Sequence, residues 1–154
     1  MVPFMWLLFL LLLFDVIAPV THYALAQNED PITIKKILED PDTYHMESIY
    51  VQGTVVEVKA LEPYTVPSGA GCYGAYTFTL KDKSGSLPVV VLGICGTPLY
   101  RPPPLSKGDH VLVQANIHAP GHAGYFKGVI GAPIPNWPPR TVQAIASNIQ
   151  PAPE

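Results

Sequence analysis

The sequence predicts an all-β domain with one short N-terminal helix, set behind a leader for export. Three observations carry this prediction. The chain holds 18 Pro and 12 Gly while 48% of its residues are hydrophobic and only 14% charged. Pro costs a helix interior about 3 kcal/mol and Gly about 1 kcal/mol relative to Ala, whereas both suit short strands joined by turns. Apolar side chains also recur with period two in several segments rich in β-branched residues. Finally, residues 72–95 can be folded into a hairpin in which the apolar faces and both cysteines fall into register together. The 154 residues fit a single domain.

The leader comes first in the chain. Phe4 to Phe14 is an unbroken apolar run. It has the length of a signal-peptide core and is short for a membrane span, which takes about 20 residues. Asp15 ends the run, and Ala24-Leu25-Ala26 fits the small-x-small cleavage pattern. Residues 1–26 therefore read as a signal peptide and 27–150 as the domain, with a frayed tail at 151–154. No Lys or Arg precedes the apolar run, which keeps open an uncleaved anchor through residues 2–20. The expected location is periplasmic or secreted. Any membrane contact is expected through this segment alone.

Ile34, Ile37 and Leu38 share one face of a short helix, with Thr33 as a possible N-cap and Pro41 as its stop. Ser48 to Lys59 alternates as a long first strand, and Gly53 inside it suggests a bulge or bend. Residues 61–71 read as a loop. The hairpin follows. Folding it about Lys83-Ser84 sets Leu80 opposite Leu87, Phe78 opposite Val89, Tyr76 opposite Val91 and Cys72 opposite Cys95. Pro98 and Pro102-Pro103-Pro104 forbid a helix over the next stretch. His110 to His118 is a fourth strand with Val111, Val113, Ala115 and Ile117 on one face. Residues 119–140 are rich in Gly and Pro, and Thr141 to Ile149 reads as the fifth strand.

An even cysteine count in an exported domain, with both residues opposite each other in the register, predicts a Cys72–Cys95 disulfide. It would close about two dozen residues and contribute about 3 kcal/mol. His118 and His122 stand four apart and are a weak alternative as metal ligands for Cu or Zn. The expectation is instead that both are exposed loop histidines and that no metal site exists. Enzyme signatures are missing: there is no Gly-x-Ser-x-Gly, no His-Glu-x-x-His and no phosphate-cradling Gly loop. A non-catalytic protein with no cofactor is expected. Net charge is −3, and the nine basic residues are scattered along the chain. Nucleic acid is accordingly expected to be an unlikely partner.

The order of helix, long bent strand, loop, hairpin, strand, long loop and strand resembles the OB-fold, a five-stranded Greek-key barrel. Gly53, the run Tyr76-Thr-Phe-Thr-Leu-Lys-Asp82, Gly85 and Lys107-Gly108-Asp109 look like that family's landmarks. The resemblance covers roughly Ile32 to Ile149. One feature departs from it: many OB domains carry a helix between the third and fourth strands, whereas here that segment is Pro-rich and the helix precedes the first strand, which resembles small exported bacterial members. The resemblance implies a binding surface on the second and third strands, flanked by residues 61–71 and 119–140. Tyr73 faces outward on the second strand, and Tyr64, Tyr125 and Trp137 lie on the flanking loops, so these four are the candidate ligand-binding residues. An unknown protein, peptide or saccharide is the expected ligand. A single-stranded nucleic acid and a small metal-handling role are the alternatives.

Overall fold

The computed structural model describes residues 30–98, 102–122 and 141–153. The proposed leader, Tyr125 and Trp137 lie outside the described residues. Along the chain come α1 (Ile34–Glu39), β1 (Ser48–Ala60), β2 (Tyr64–Thr65), β3 (Gly71–Tyr73), β4 (Tyr76–Lys81), β5 (Ser86–Val91), β6 (Ile94–Cys95), β7 (His110–His118) and β8 (Gln143–Pro151). Strands β1, β4, β5, β8 and β7 close into a barrel in that order, while β2, β3 and β6 form a separate sheet. Barrel neighbours pair antiparallel except β5 and β8, which run parallel at Val89↔Ala144 and Val90↔Ile145. This is the OB-type barrel that the sequence predicts.

One strand serves two neighbours. The first half of β1 pairs with β7 and the second half with β4, and Thr54 pairs with both His110 and Lys81. Gly53 sits at that handover. A Cβ there would lie 2.7 Å from the Lys81 carbonyl oxygen, so a side chain cannot fit without moving backbone. The register irregularity falls slightly later, between Val55 and Glu57. Gly53 thus answers a close approach, and the bulge expected at it lies beyond it.

The hairpin register is the predicted one: Leu80↔Leu87, Phe78↔Val89 and Tyr76↔Val91 on the barrel, with Cys72↔Cys95 further out. The hairpin is not continuous, however. Gly74 adopts φ 74 and separates β3 from β4, so the cysteine end peels off into the second sheet. Alternation then sorts the side chains. Val51, Val55, Phe78, Leu80, Leu87, Val89, Val111, Val113, Ala115 and Ile117 all point inward and are buried. Each large aliphatic among them contributes roughly 1.5–3 kcal/mol by leaving water.

Helix α1 plugs this core with Ile34 and Ile37, both fully buried, but Leu38 stays exposed. Thr33 holds the N-cap position without a side-chain cap bond. The Asp82 carboxylate caps the helix instead, its Oδ2 accepting the Ile34 N–H at 2.9 Å, and Ser84 Oγ accepts the Lys35 N–H at 2.9 Å. The chain end, expected to fray from residue 151, continues β8 through Pro151, and the Ala152 N–H donates to the His110 carbonyl.

Candidate functional site

Strands β1, β4 and β5 present a three-stranded outer face among the described residues. Outward positions follow from the register in rows: Lys59, Thr77 and Val90; Glu57, Thr79 and Pro88; Thr54, Lys81 and Ser86. Tyr76 and Phe78, the large aromatics of β4, point into the core. The face itself is therefore mostly polar, with two threonines at its centre.

The second sheet stands along the Val90 edge of this face. Val90 is buried there under Leu61, Tyr64 and Leu92. The Tyr64 hydroxyl accepts the Gly93 N–H at 3.2 Å, and Tyr64 pairs with Cys72 in the β2–β3 ladder. The predicted disulfide joins Cys72, fully buried, to Cys95 across the β3–β6 ladder. Tyr73 pairs with Ile94, which is 57% exposed, and the Tyr73 hydroxyl folds back over Gly71. Of the four candidate ligand-binding residues, Tyr64 and Tyr73 thus come together on the stapled sheet. Tyr64 is occupied with packing, and Tyr73 is half-buried beside an exposed isoleucine. Sequence reading treated residues 61–71 as a loop and missed this sheet, because β2 spans only two residues.

Folding also gathers charge. Docking of α1 sets the Lys35 backbone against Ser84, so the helix segment with Lys35 and Lys36 adjoins the turn flanked by Lys81 and Lys83, and all four lysines are exposed. Glu39 pairs with Lys35 at 3.6 Å. Asp82 is held by hydrogen bonds within the turn. Burial works to raise its pKa, but the Ile34 N–H, the Ser84 hydroxyl and the Ser84 and Gly85 N–H groups outweigh it, and the carboxyl lies below its ordinary value.

His118 is not the exposed loop residue expected from sequence. It ends β7 and is 3% exposed, because the segment at His45 bridges to Ile117 and covers it. His45 meets His118 edge-on at 6.1 Å and stacks on His122 at 3.9 Å. His122 Nε2 lies 2.9 Å from Asp42 Oδ1, and His45 Nδ1 accepts the Ala119 N–H. Burial, and then the nearby His45, push the His118 pKa down. His118 and His122 do converge, through a third histidine that sequence spacing could not supply. Among the described residues, no group of three or more His, Cys, Asp or Glu side chains is placed to hold a metal ion.

No family model matches the chain, and no curated protein matches it. Solved structures do. The second OB-fold domain of replication protein A from Methanococcus maripaludis is 15% identical, with a TM-score of 0.45, covering 71% of this chain and 88% of that one. An aspartyl-tRNA synthetase from Leishmania major Friedlin, described as putative in its own name, is 11% identical with a TM-score of 0.48. It covers 86% of this chain, which spans 22% of that one. These likenesses concern the fold alone.

The fold does correct one expectation. The reading of nucleic acid as an unlikely partner does not stand, because it rests on the basic residues being scattered along the chain. That premise fails in the fold: segments carrying lysines far apart in sequence become neighbours where α1 meets the β4–β5 turn.

Proposed function

We propose that this protein is an exported, non-catalytic binding module that takes an extended partner across the outer face of β1, β4 and β5. The observation that carries the reading is the stapled sheet. Closing the barrel does not require it, yet it is fixed by a disulfide and stands on Val90 as a wall along the outer face. Binding surfaces are commonly built in this way, as a rigid scaffold with an elaborated loop at one margin. The disulfide itself suits an oxidising compartment and so supports export. In this reading Thr77 and Thr79 offer hydroxyls to a peptide or saccharide chain, and Tyr73 with Ile94 offers an apolar margin.

A second reading has its own support. Lys81 lies on this face, and exposed Lys83 in the adjoining turn and Lys35 and Lys36 on the helix docked there add to the basic end, which suits the phosphates of a single strand. If all four engage, the logarithm of affinity falls with log salt at a slope of about −3.

The test is a titration of isotope-labelled protein with an unstructured peptide, a linear oligosaccharide and an oligothymidylate. The expected result is amide shifts at Thr77, Thr79, Lys81 and Tyr73 with one of the three, weakened in a Thr79→Glu variant. Shifts confined to other strands would overturn the proposal. The salt slope separates the two readings.

A further inference from the structure

We infer that a second site, distinct from the outer face, binds a small molecule with an apolar body and a protonated amine. It is a partly open cavity of about 420 Å³ between Tyr76, the segment leading into β7, and the end of β8. That volume lies within the range of small-ligand pockets. Leu105, Val111, Ile149 and two prolines supply apolar walls. This is the composition of a pocket that holds a hydrocarbon or aromatic body.

Two polar groups at the cavity give it a preference. Tyr76 is 6% exposed, and among the described residues no hydrogen bond reaches its hydroxyl. A tyrosine this buried ordinarily finds a partner for its O–H. Here that oxygen belongs to a residue lining the cavity, and burial raises its pKa, so the phenol stays neutral and keeps a lone pair to offer. Asp109 is the second group. Its Oδ2 accepts the Ser106 N–H at 2.8 Å, and the return bond from its own N–H to the Ser106 carbonyl fixes the turn. Among the described residues its other carboxylate oxygen has no partner. Asp109 is the one acidic residue in the lining, which also contains His110 and Gln150. His110 is already engaged, one ring nitrogen 3.0 Å from Gln52 Nε2 and the other 3.4 Å from Thr54 Oγ1. A carboxylate with a free oxygen and a neutral phenol over apolar walls select a cationic donor over an anion.

Phenethylamine, 2-phenylethanol and phenylacetate share one body and differ only in the head group. The experiment follows the amides of Val111, Ile149 and Gln150 by NMR as each is added to the full domain. A ligand of this size binds with a Kd of about 1 mM, so titration to about 10 mM suffices. The expected result is an amine Kd about tenfold below that of the alcohol, with the acid weakest. Asp109→Asn should bring amine and alcohol within about twofold of each other. Pro104→Trp, at an exposed position, should block all three, and unchanged shifts at Val89 and Ala144 would show that the variant still folds. No shift at the three amides with the amine, or equal affinity for amine and acid, would overturn the inference. The outer face is untouched by these variants, so either proposal can fail alone.

Discussion

Replacing Asp82 with alanine should remove the cap of α1 and the internal ties of the β4–β5 turn at once. One carboxylate oxygen accepts the Ile34 N–H at 2.9 Å. The other accepts the Ser84 N–H at 2.6 Å, the Ser84 hydroxyl at 2.7 Å and the Gly85 N–H at 2.8 Å. A lost N-cap costs about 1 kcal/mol. The turn bonds involve a charged acceptor, but water replaces part of them at a half-exposed site, so together they add about 1–2 kcal/mol. Asp82→Ala should therefore destabilise the domain by about 2–3 kcal/mol. Asp82→Asn keeps one acceptor oxygen and should cost about half as much. The sign of the pH dependence follows from the lowered pKa. Stabilisation by the carboxylate is fully present above its unfolded pKa of about 3.9 and is lost as pH falls through the lower folded value. Urea denaturation at pH 7 and pH 3 measures both effects, and the gap between wild type and Asp82→Asn should narrow at pH 3. An Asp82→Ala variant within about 0.5 kcal/mol of wild type at pH 7 would refute the reasoning, as would a gap that ignores pH.

Three further outcomes are expected. Reducing the Cys72–Cys95 bond, whose sequence separation is 23, should cost about 3 kcal/mol, or about 10 °C in Tm, and equal melting with and without reductant would contradict it. Gly53→Ala forces a Cβ toward the Lys81 carbonyl and should cost about 1–3 kcal/mol by equilibrium unfolding; a neutral result would show that β1 and β4 do not approach so closely. His118 has a lowered pKa in the folded state, so its neutral form stabilises the fold above its unfolded pKa of about 6.5, and this is lost as pH falls toward the folded value. Melting curves between pH 5 and 7.5 should show that decline, and His118→Gln should flatten it.

Much of the barrel was legible because the β period of two leaves little freedom. Leu80, Phe78 and Tyr76 can meet Leu87, Val89 and Val91 in only one register, and the turn residues select it. Strand β7 was equally plain from its alternating valines. What escaped were features made by contacts distant in sequence. The cap of α1 comes from Asp82, 48 residues beyond Ile34, whereas local chemistry pointed to Thr33. The histidine cluster needs His45, which lies 73 residues before His118 and reaches it through a single bridge to Ile117. The segments of Lys35 and Lys83 look unrelated until α1 docks on the β4–β5 turn. The stapled sheet is built from strands of two and three residues, too short for periodicity to register.

Closure of the barrel is the claim on which both proposed sites rest, since without it β4 and β5 are an unbacked hairpin and the cavity has no far wall. The most direct measurement is a nuclear Overhauser spectrum of the folded domain. Parallel pairing of β5 with β8 predicts close backbone contacts between Val89 and Ala144 and between Val90 and Ile145. Finding β5 with no such contacts, or β8 paired to β7 alone, would contradict the closed barrel.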